Sequence, residues 1–259
     1  FEMSIPKIIH YCWFGPNPIP KNEQIYIENW QVKLPEYRFV FWNEESFDVQ
    51  SVRYVKQAYD QGKYAFVSDY VRIYALNKYG GIYLDTDVEV LKDFSPFLDH
   101  NTFLGFENRT MVGTGIIGTQ KNNPLFLKLL RYYNSHDFIN KNGVADTTTN
   151  VKILNKLLVE KGLTPRNSKQ IVSGIHIYDR SVFCPKKKNE NEFLISKDSV
   201  TIHHFDASWL TERERKRGNS LIWRNIFRPF LRNARNFLEN VIGEERTKLF
   251  EAKLRDKIK

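Results

Sequence analysis

Cysteine is nearly missing from this chain. Cys12 and Cys184 are the only two in 259 residues. They lie far apart, in no metal or redox spacing, which argues against a disulfide framework and for a reducing compartment. No apolar run reaches the ~20 residues that a membrane span needs. No secretory signal opens the sequence, and Phe1-Glu2 ahead of Met3 are set aside from the fold. A cytoplasmic protein is expected. Internal repeats and low-complexity linkers are also lacking. So is any charge excess in the first 212 residues, because the net charge of +9 is concentrated further on. Between Arg213 and Arg235 eight basic residues face one acid, Glu214. The overall charge therefore describes a tail, and with no nucleic-acid-binding motif present no nucleic-acid partner is expected.

What is present alternates strand and helix patterns. Strands are predicted over 5–14, 37–42, 82–90, 102–106, 111–117 and 199–205. Helices are predicted over 22–32, 49–61, 64–79, 124–133 and 151–160. The 64–79 segment stops at Gly80-Gly81, a helix C-terminal signal. Such alternation implies an α/β fold with a mostly parallel sheet, whose ligands bind beyond the carboxyl ends of the strands. Residues 3–210 are read as one catalytic domain, and 211–259 as a helical C-terminal extension.

The chemistry centres on Asp85-Thr86-Asp87. On a strand, Tyr83, Asp85 and Asp87 would share one face. Two carboxylates so placed suit a hard divalent cation, Mn²⁺ or Mg²⁺, and through it a diphosphate. Asp69 and Arg72, three apart, share a face of the helix that feeds this strand. They are positioned either for a sugar and a phosphate or as a surface ion pair. Gly113-Thr114-Gly115-Ile116-Ile117-Gly118 lies in a strand context and is no dinucleotide fingerprint. It would either let the backbone approach the sugar or acceptor, or form a tight turn. By position alone, Asp146 to Asn150 are expected to face the acceptor.

The run from Ala65 through Ser68-Asp69, Arg72, Leu76 and Gly80-Gly81 to Asp87 resembles the donor-site signature of the family 32 glycosyltransferases, the DXD sugar-binding-region group related to clostridial toxin glucosylating domains. Ile8 to Gly15 resembles the family's first strand, and His203-His204-Phe205 with Ser208-Trp209 its C-terminal motif. The resemblance implies a GT-A fold (Rossmann-like, with helices flanking the sheet) and a UDP-sugar donor in preference to a GDP-sugar. It implies retaining transfer of a hexose to a saccharide acceptor, free or lipid-linked, in capsular or surface polysaccharide synthesis. It makes Asp85, Asp87 and Arg72 catalytic, and Cys12, Trp13, Asp69, Arg72, Tyr83 and Trp209 contacts of the nucleotide sugar. Trp209 covers the diphosphate or packs in the core. Asp85 and Asp87 would hold the metal with one late histidine, since adjacent strand residues face opposite ways; His204 is preferred over His203. The toxins separate their Ser and Trp by one residue, whereas Ser208 and Trp209 are adjacent, so a metal role is not carried to Ser208.

Two further readings follow. Residues 82–88 imitate the strand of haloacid-dehalogenase phosphohydrolases, with Asp85 as nucleophile, but no downstream acidic pair follows. Residues 220–241 place apolar side chains at helical spacing among arginines, the pattern of a helix on an anionic membrane or of one packed on the body. Peripheral attachment to the inner face of the plasma membrane is the preferred expectation.

Overall fold

The computed structural model describes residues 4–189 and 192–206, together with Arg235, Leu238, Glu239, Gly243, Arg246, Thr247 and 249–251. Trp209, Ser208 and most of the basic tail lie outside the described residues. By compactness the chain divides into residues 1–137 with 147–206, and residues 138–146 with 207–259.

In the first unit the elements run β1 (Ile8–Cys12), α1 (Lys21–Lys33), β2 (Arg38–Trp42), α2 (Arg53–Asp60), α3 (Tyr64–Tyr79), β3 (Gly81–Leu84), β4 (Val88–Val90), β5 (Thr102–Gly105), β6 (Ile116–Thr119) and α4 (Pro124–Ser135). They continue with α5 (Asn150–Glu160), β7 (Gln170–Val172), β8 (Ile175–Tyr178), α6 (Arg180–Phe183), β9 (Lys187–Asn189), β10 (Glu192–Phe193) and β11 (Thr201–His203). The main sheet has the order β2-β1-β3-β6-β5-β8-β7. From the pairings, β1, β2, β3, β5 and β8 point one way and β6 and β7 the other. The α/β class with a mostly parallel sheet is thus observed. Strand β7 and its partner β8 have no counterpart among the predicted strands; β7 is short, three residues, and gives no length of alternation to detect.

One prediction needs correcting. Residues 82–90 are not one strand. Strand β3 belongs to the main sheet and β4 to a separate two-stranded sheet with β11, so Asp85-Thr86-Asp87 is the crossing between sheets. The Asp85 N–H donates to Gly115 O (2.8 Å), and the Val88 N–H turns back to Asp85 O (3.1 Å). The ladder stops there because the next backbone donors are used in a turn.

Helix α3 matches its predicted bounds. It ends at Gly80, whose φ of 66° is costly for a side chain bearing a Cβ. At Gly81 (φ 108°) a Cβ would come 2.6 Å from Ile8 O, so β1 can pair beside β3 only with glycine there. His10, fully buried on β1, ties this turn. Its Nδ1 accepts from Trp42 Nε1 (3.2 Å), which leaves Nε2–H to donate to Gly80 O (2.9 Å). Burial pushes its pKa down to about 4, keeping the ring neutral. The core beneath the sheet includes Ile9, Ile82, Leu84, Phe94, Phe103 and Phe183. Trp30 of α1 joins it and donates Nε1–H to Val88 O (2.7 Å), pinning β4.

Candidate active site

The same sheet edge collects the ends of five co-directed strands. Trp13 follows β1, Asp85 follows β3 and Glu107 lies just beyond β5, while Gly113–Gly115 lead into the reversed β6. Every carboxyl end of a parallel strand that carries chemistry therefore opens here, as the topology requires.

The turn itself is anchored from below. Thr86 is buried and donates its hydroxyl to the Glu23 carboxylate in the first turn of α1. On the other side, β11 pairs antiparallel with β4 in a register that sets His203 opposite Val88. His203 Nε2 then lies 3.1 Å from Asp87 Oδ1 and 3.8 Å from Asp85 Oδ2. Donor atoms of Asp85, Asp87 and His203 all lie within 4.8 Å of one another, and among the described residues no other such group of three occurs. The preference for His204 is corrected: its Nε2 lies 3.0 Å from Glu89 Oε2 and its ring stacks on Tyr26 at 4.5 Å. Residues 203 and 204 alternate in direction, and the register decides which one meets the aspartates.

Asp69 and Arg72 are brought to the same place and are not a surface pair. Both are buried, and Arg72 Nη2 lies 3.3 Å from Asp69 Oδ1. Arg72 Nη1 reaches Asp85 Oδ1 (3.1 Å) and donates to Thr114 O (2.9 Å), while its guanidinium lies over the Tyr83 ring. Tyr83 donates its hydroxyl to Asp85 Oδ1 (2.9 Å). Asp85 Oδ1 is thus taken by Arg72 and Tyr83, and Oδ2 is the oxygen turned towards His203. Cys12 is buried on β1 beside this group, and burial raises its thiol far above the usual range. It is inert as a nucleophile. Trp13, half-buried at the rim, donates Nε1–H to Asn17 O (2.7 Å).

Charge is unevenly compensated. Burial raises the Asp69 carboxyl to about 6, against the lowering effect of Arg72 and of the Asn150 N–H. For Asp87 burial also raises, but the hydrogen bond and charge of His203 outweigh it, and the Asp206 N–H on Oδ2 (3.0 Å) adds to them, so the carboxyl is held below its ordinary value. Burial lowers His203, yet Asp87 and Cys184 overcome it and the imidazole is raised well above normal. Two carboxylates and an imidazole converging in a buried turn form a hard-to-borderline donor set that fits Mn²⁺ or Mg²⁺. A cation there would take the place of the imidazole proton, leaving His203 neutral and ligating.

Glu107 was not read from the sequence, whereas Thr114 and Gly115 lie in the glycine-rich segment and Asn150 closes the 146–150 segment. Thr114 donates to Asn150 Oδ1 (2.8 Å), and the Asn150 N–H supports Asp69 at 3.3 Å. Gly115 lies so close that a Cβ would come 2.6 Å from His203 Cε1 and 2.7 Å from Asp85 Oδ2. At this position the glycine-rich segment brings backbone close to the Asp85 and His203 side chains. Glu107 packs against Gly113. Burial raises its carboxyl, with His203 lowering and Asp85 raising it further. Thr114 and Gly115 carried a signal in their glycine-rich context, Asn150 only its position, and Glu107 none.

The sequence is similar to known glycosyltransferases over part of its length. Residues 20–104 match the family described as "Glycosyltransferase sugar-binding region containing DXD motif". The matched segment is about a third of the chain and contains Asp69, Arg72 and the Asp85-Thr86-Asp87 turn. It is 32% identical over 133 residues to inositol phosphoceramide mannosyltransferase 3 of Schizosaccharomyces pombe, which covers 49% of this chain and 37% of that protein. It is 30% identical over 138 residues to mannosyl phosphorylinositol ceramide synthase CSH1 of Saccharomyces cerevisiae, 49% of this chain and 35% of that one. It thus spans little more than a third of these yeast relatives. An uncharacterized glycosyltransferase of Acanthamoeba polyphaga mimivirus is 26% identical over 79% of this chain and 84% of its own. Among solved structures, PaToxG glycosyltransferase aligns with a TM-score of 0.43 and 23% identity, over 49% of this chain and 59% of that one. A glycosyltransferase acting in glycosylation of the PBCV-1 major capsid aligns with 0.44 and 15%, over 82% and 98%.

Proposed function

We propose that this protein is a metal-dependent glycosyltransferase that moves a hexose from a nucleotide-diphosphate sugar to a saccharide or lipid-linked acceptor. The convergence of Asp85, Asp87 and His203 beside the Arg72–Asp69 pair supports the reading most directly. Asp85, Asp87 and His203 would hold Mn²⁺ or Mg²⁺. When bound, such an ion neutralises charge on a departing nucleoside diphosphate. The chain's own residues do the rest. Arg72 is locked by Asp69, Asp85 and Thr114 O, so its guanidinium needs no reorganisation when phosphate charge develops. Trp13 at the rim supplies a flat face for the base, and Tyr83 fixes the rotamer of Asp85. Asp69, oriented by the Asn150 N–H, accepts from hydroxyls of the donor sugar. A covalent route is not needed, because Asp85 is committed to Arg72 and Tyr83; retention then rests on attack by the acceptor hydroxyl on the face the diphosphate leaves.

UDP-sugars remain the preferred donors from the resemblance, whereas the names of the yeast relatives add mannose as a sugar and an inositol-phosphate-bearing lipid as an acceptor. A lipid-linked acceptor would also account for a basic tail at an anionic membrane surface, in the setting of capsule or surface polysaccharide synthesis. No described helix is long and apolar enough to cross a membrane, so attachment would be peripheral. Salt-sensitive binding to anionic liposomes, lost on deleting residues 213–259, tests the attachment; no binding at low salt refutes it. The catalytic reading is tested by nucleoside diphosphate release from UDP- and GDP-hexoses with and without Mn²⁺, using Asp87→Asn as control. Phosphate-ester hydrolysis in place of sugar release would return Asp85 to the role of a phosphohydrolase nucleophile.

A further inference from the structure

Glu107 is a partly buried carboxylate that the donor set above does not use, and its position is constrained on three counts. It follows β5, at the edge where β1 and β3 also end. The site for a Cβ on Gly113 lies 3.0 Å from its Oε2, while the equivalent site on Gly115 lies 2.7 Å from Asp85 Oδ2 and 2.6 Å from His203 Cε1. Two residues of chain span at most about 7 Å, so Glu107 and the Asp85–His203 pair lie against one short backbone segment. Glu107 is not in the set of ligand atoms that converge within 4.8 Å. It is therefore placed beside the metal shell without belonging to it.

Charge then selects what Glu107 can face. An ionised carboxylate only accepts hydrogen bonds. A diphosphate is likewise an anionic acceptor, so Glu107 cannot face it without repulsion. A neutral sugar offers hydroxyl donors, whereas a uronic acid would bring a second carboxylate against Glu107 and Asp85. We infer that Glu107 is a specificity-determining residue that accepts a hydroxyl of the transferred sugar and selects neutral hexoses over anionic ones. This rests on the glycosyltransferase reading above.

The test compares the wild-type protein with Glu107→Gln and Glu107→Ala. Hydrolysis is followed with a panel of UDP- and GDP-linked neutral hexoses and with UDP-glucuronic acid, all with Mn²⁺, alongside Mn²⁺ titration by electron paramagnetic resonance and thermal unfolding. Loss of a charged hydrogen bond predicts a fall of about ten- to a hundredfold in kcat/KM for the preferred neutral donor in both variants. Mn²⁺ affinity and Tm should stay at wild-type values, and Glu107→Gln should narrow the preference for neutral over uronic donor by about tenfold. Wild-type kcat/KM in both variants, or a wild-type preference for the uronic donor, overturns the inference and leaves the glycosyltransferase reading standing. Weakened Mn²⁺ binding at unchanged Tm overturns it by placing Glu107 in the metal shell. Failure of the wild-type protein on every sugar donor overturns the glycosyltransferase reading, and this inference with it.

Discussion

At one end of β3 the Gly80-Gly81 turn is tied by His10, and at the other the Asp85–Asp87 turn meets His203; both histidines are buried, yet their surroundings push them in opposite directions. His10 finds an indole N–H and a carbonyl oxygen, both neutral, and burial lowers it to about 4. His203 finds carboxylates and is raised well above its ordinary value. The first arrangement is complete, because each ring nitrogen has a partner matching one tautomer and nothing is left for a ligand. The second gathers more negative charge than Arg72 and one imidazole can answer. A buried polar group satisfied by neutral partners is scaffold, whereas a buried surplus of one sign is a site for the opposite charge.

The largest break in this comparison is expected from Asp87→Asn, which removes charge from the surplus while keeping shape. Mn²⁺-dependent sugar-donor hydrolysis should fall on the order of a thousandfold, and near-wild-type activity would dismiss the metal site. Arg72→Lys keeps the charge but loses the fork that spans Asp85, Asp69 and Thr114 O. A loss of about a hundredfold in kcat/KM is expected, against little change if Arg72 were only a surface pair.

The scaffold end should respond to acid instead. His10 is lowered from 6.5 to about 4 in the fold, so the folded state binds fewer protons than the unfolded chain between those values. Its contribution is fully present above pH 6.5 and is lost as pH falls towards 4, up to about 3 kcal/mol. Chemical denaturation at pH 7 and pH 4.5 measures it, and His10→Gln should flatten the dependence in this window. An equally steep loss in that variant would assign the acid sensitivity elsewhere. The smallest effect separates neighbours: His203→Ala should weaken Mn²⁺ binding by about ten- to a hundredfold, whereas His204→Ala, which removes a partner of Glu89, should leave it within about threefold. The reverse ranking would restore His204 as the ligand.

Several features were legible without coordinates. Helix α3 runs from Tyr64 to Tyr79 as read, because apolar periodicity and a Gly-Gly stop are local signals. Asp85 and Asp87 stood out as a candidate pair by their spacing, and Asp69 and Arg72 through the resemblance to a known donor-site signature. The apolar run Ile82–Leu84 continuing into Val88–Val90 looked like one strand, yet the chain changes sheets at the aspartates. Nothing local distinguishes a straight strand from one whose ladder ends in a turn after Asp85.

Glu107 had no sequence signal, being a single carboxylate in ordinary surroundings, and Asn150 had only its position in the 146–150 segment. They matter because β5 ends beside β3 and because α5 begins against Asp69. The choice between His203 and His204 belongs to the same class. By itself the sequence determined the α/β alternation, the aspartate pair and the shared helix face of Asp69 and Arg72, since these are encoded at separations of a helix turn or a strand step; the burial of Asp69 and Arg72 beside Asp85 came from the tertiary structure. Which histidine joins Asp85 and Asp87 was decided only by the tertiary structure. The Thr201–Val90 to His203–Val88 register spans more than a hundred residues of chain, and a slip of one position would turn the other ring inward.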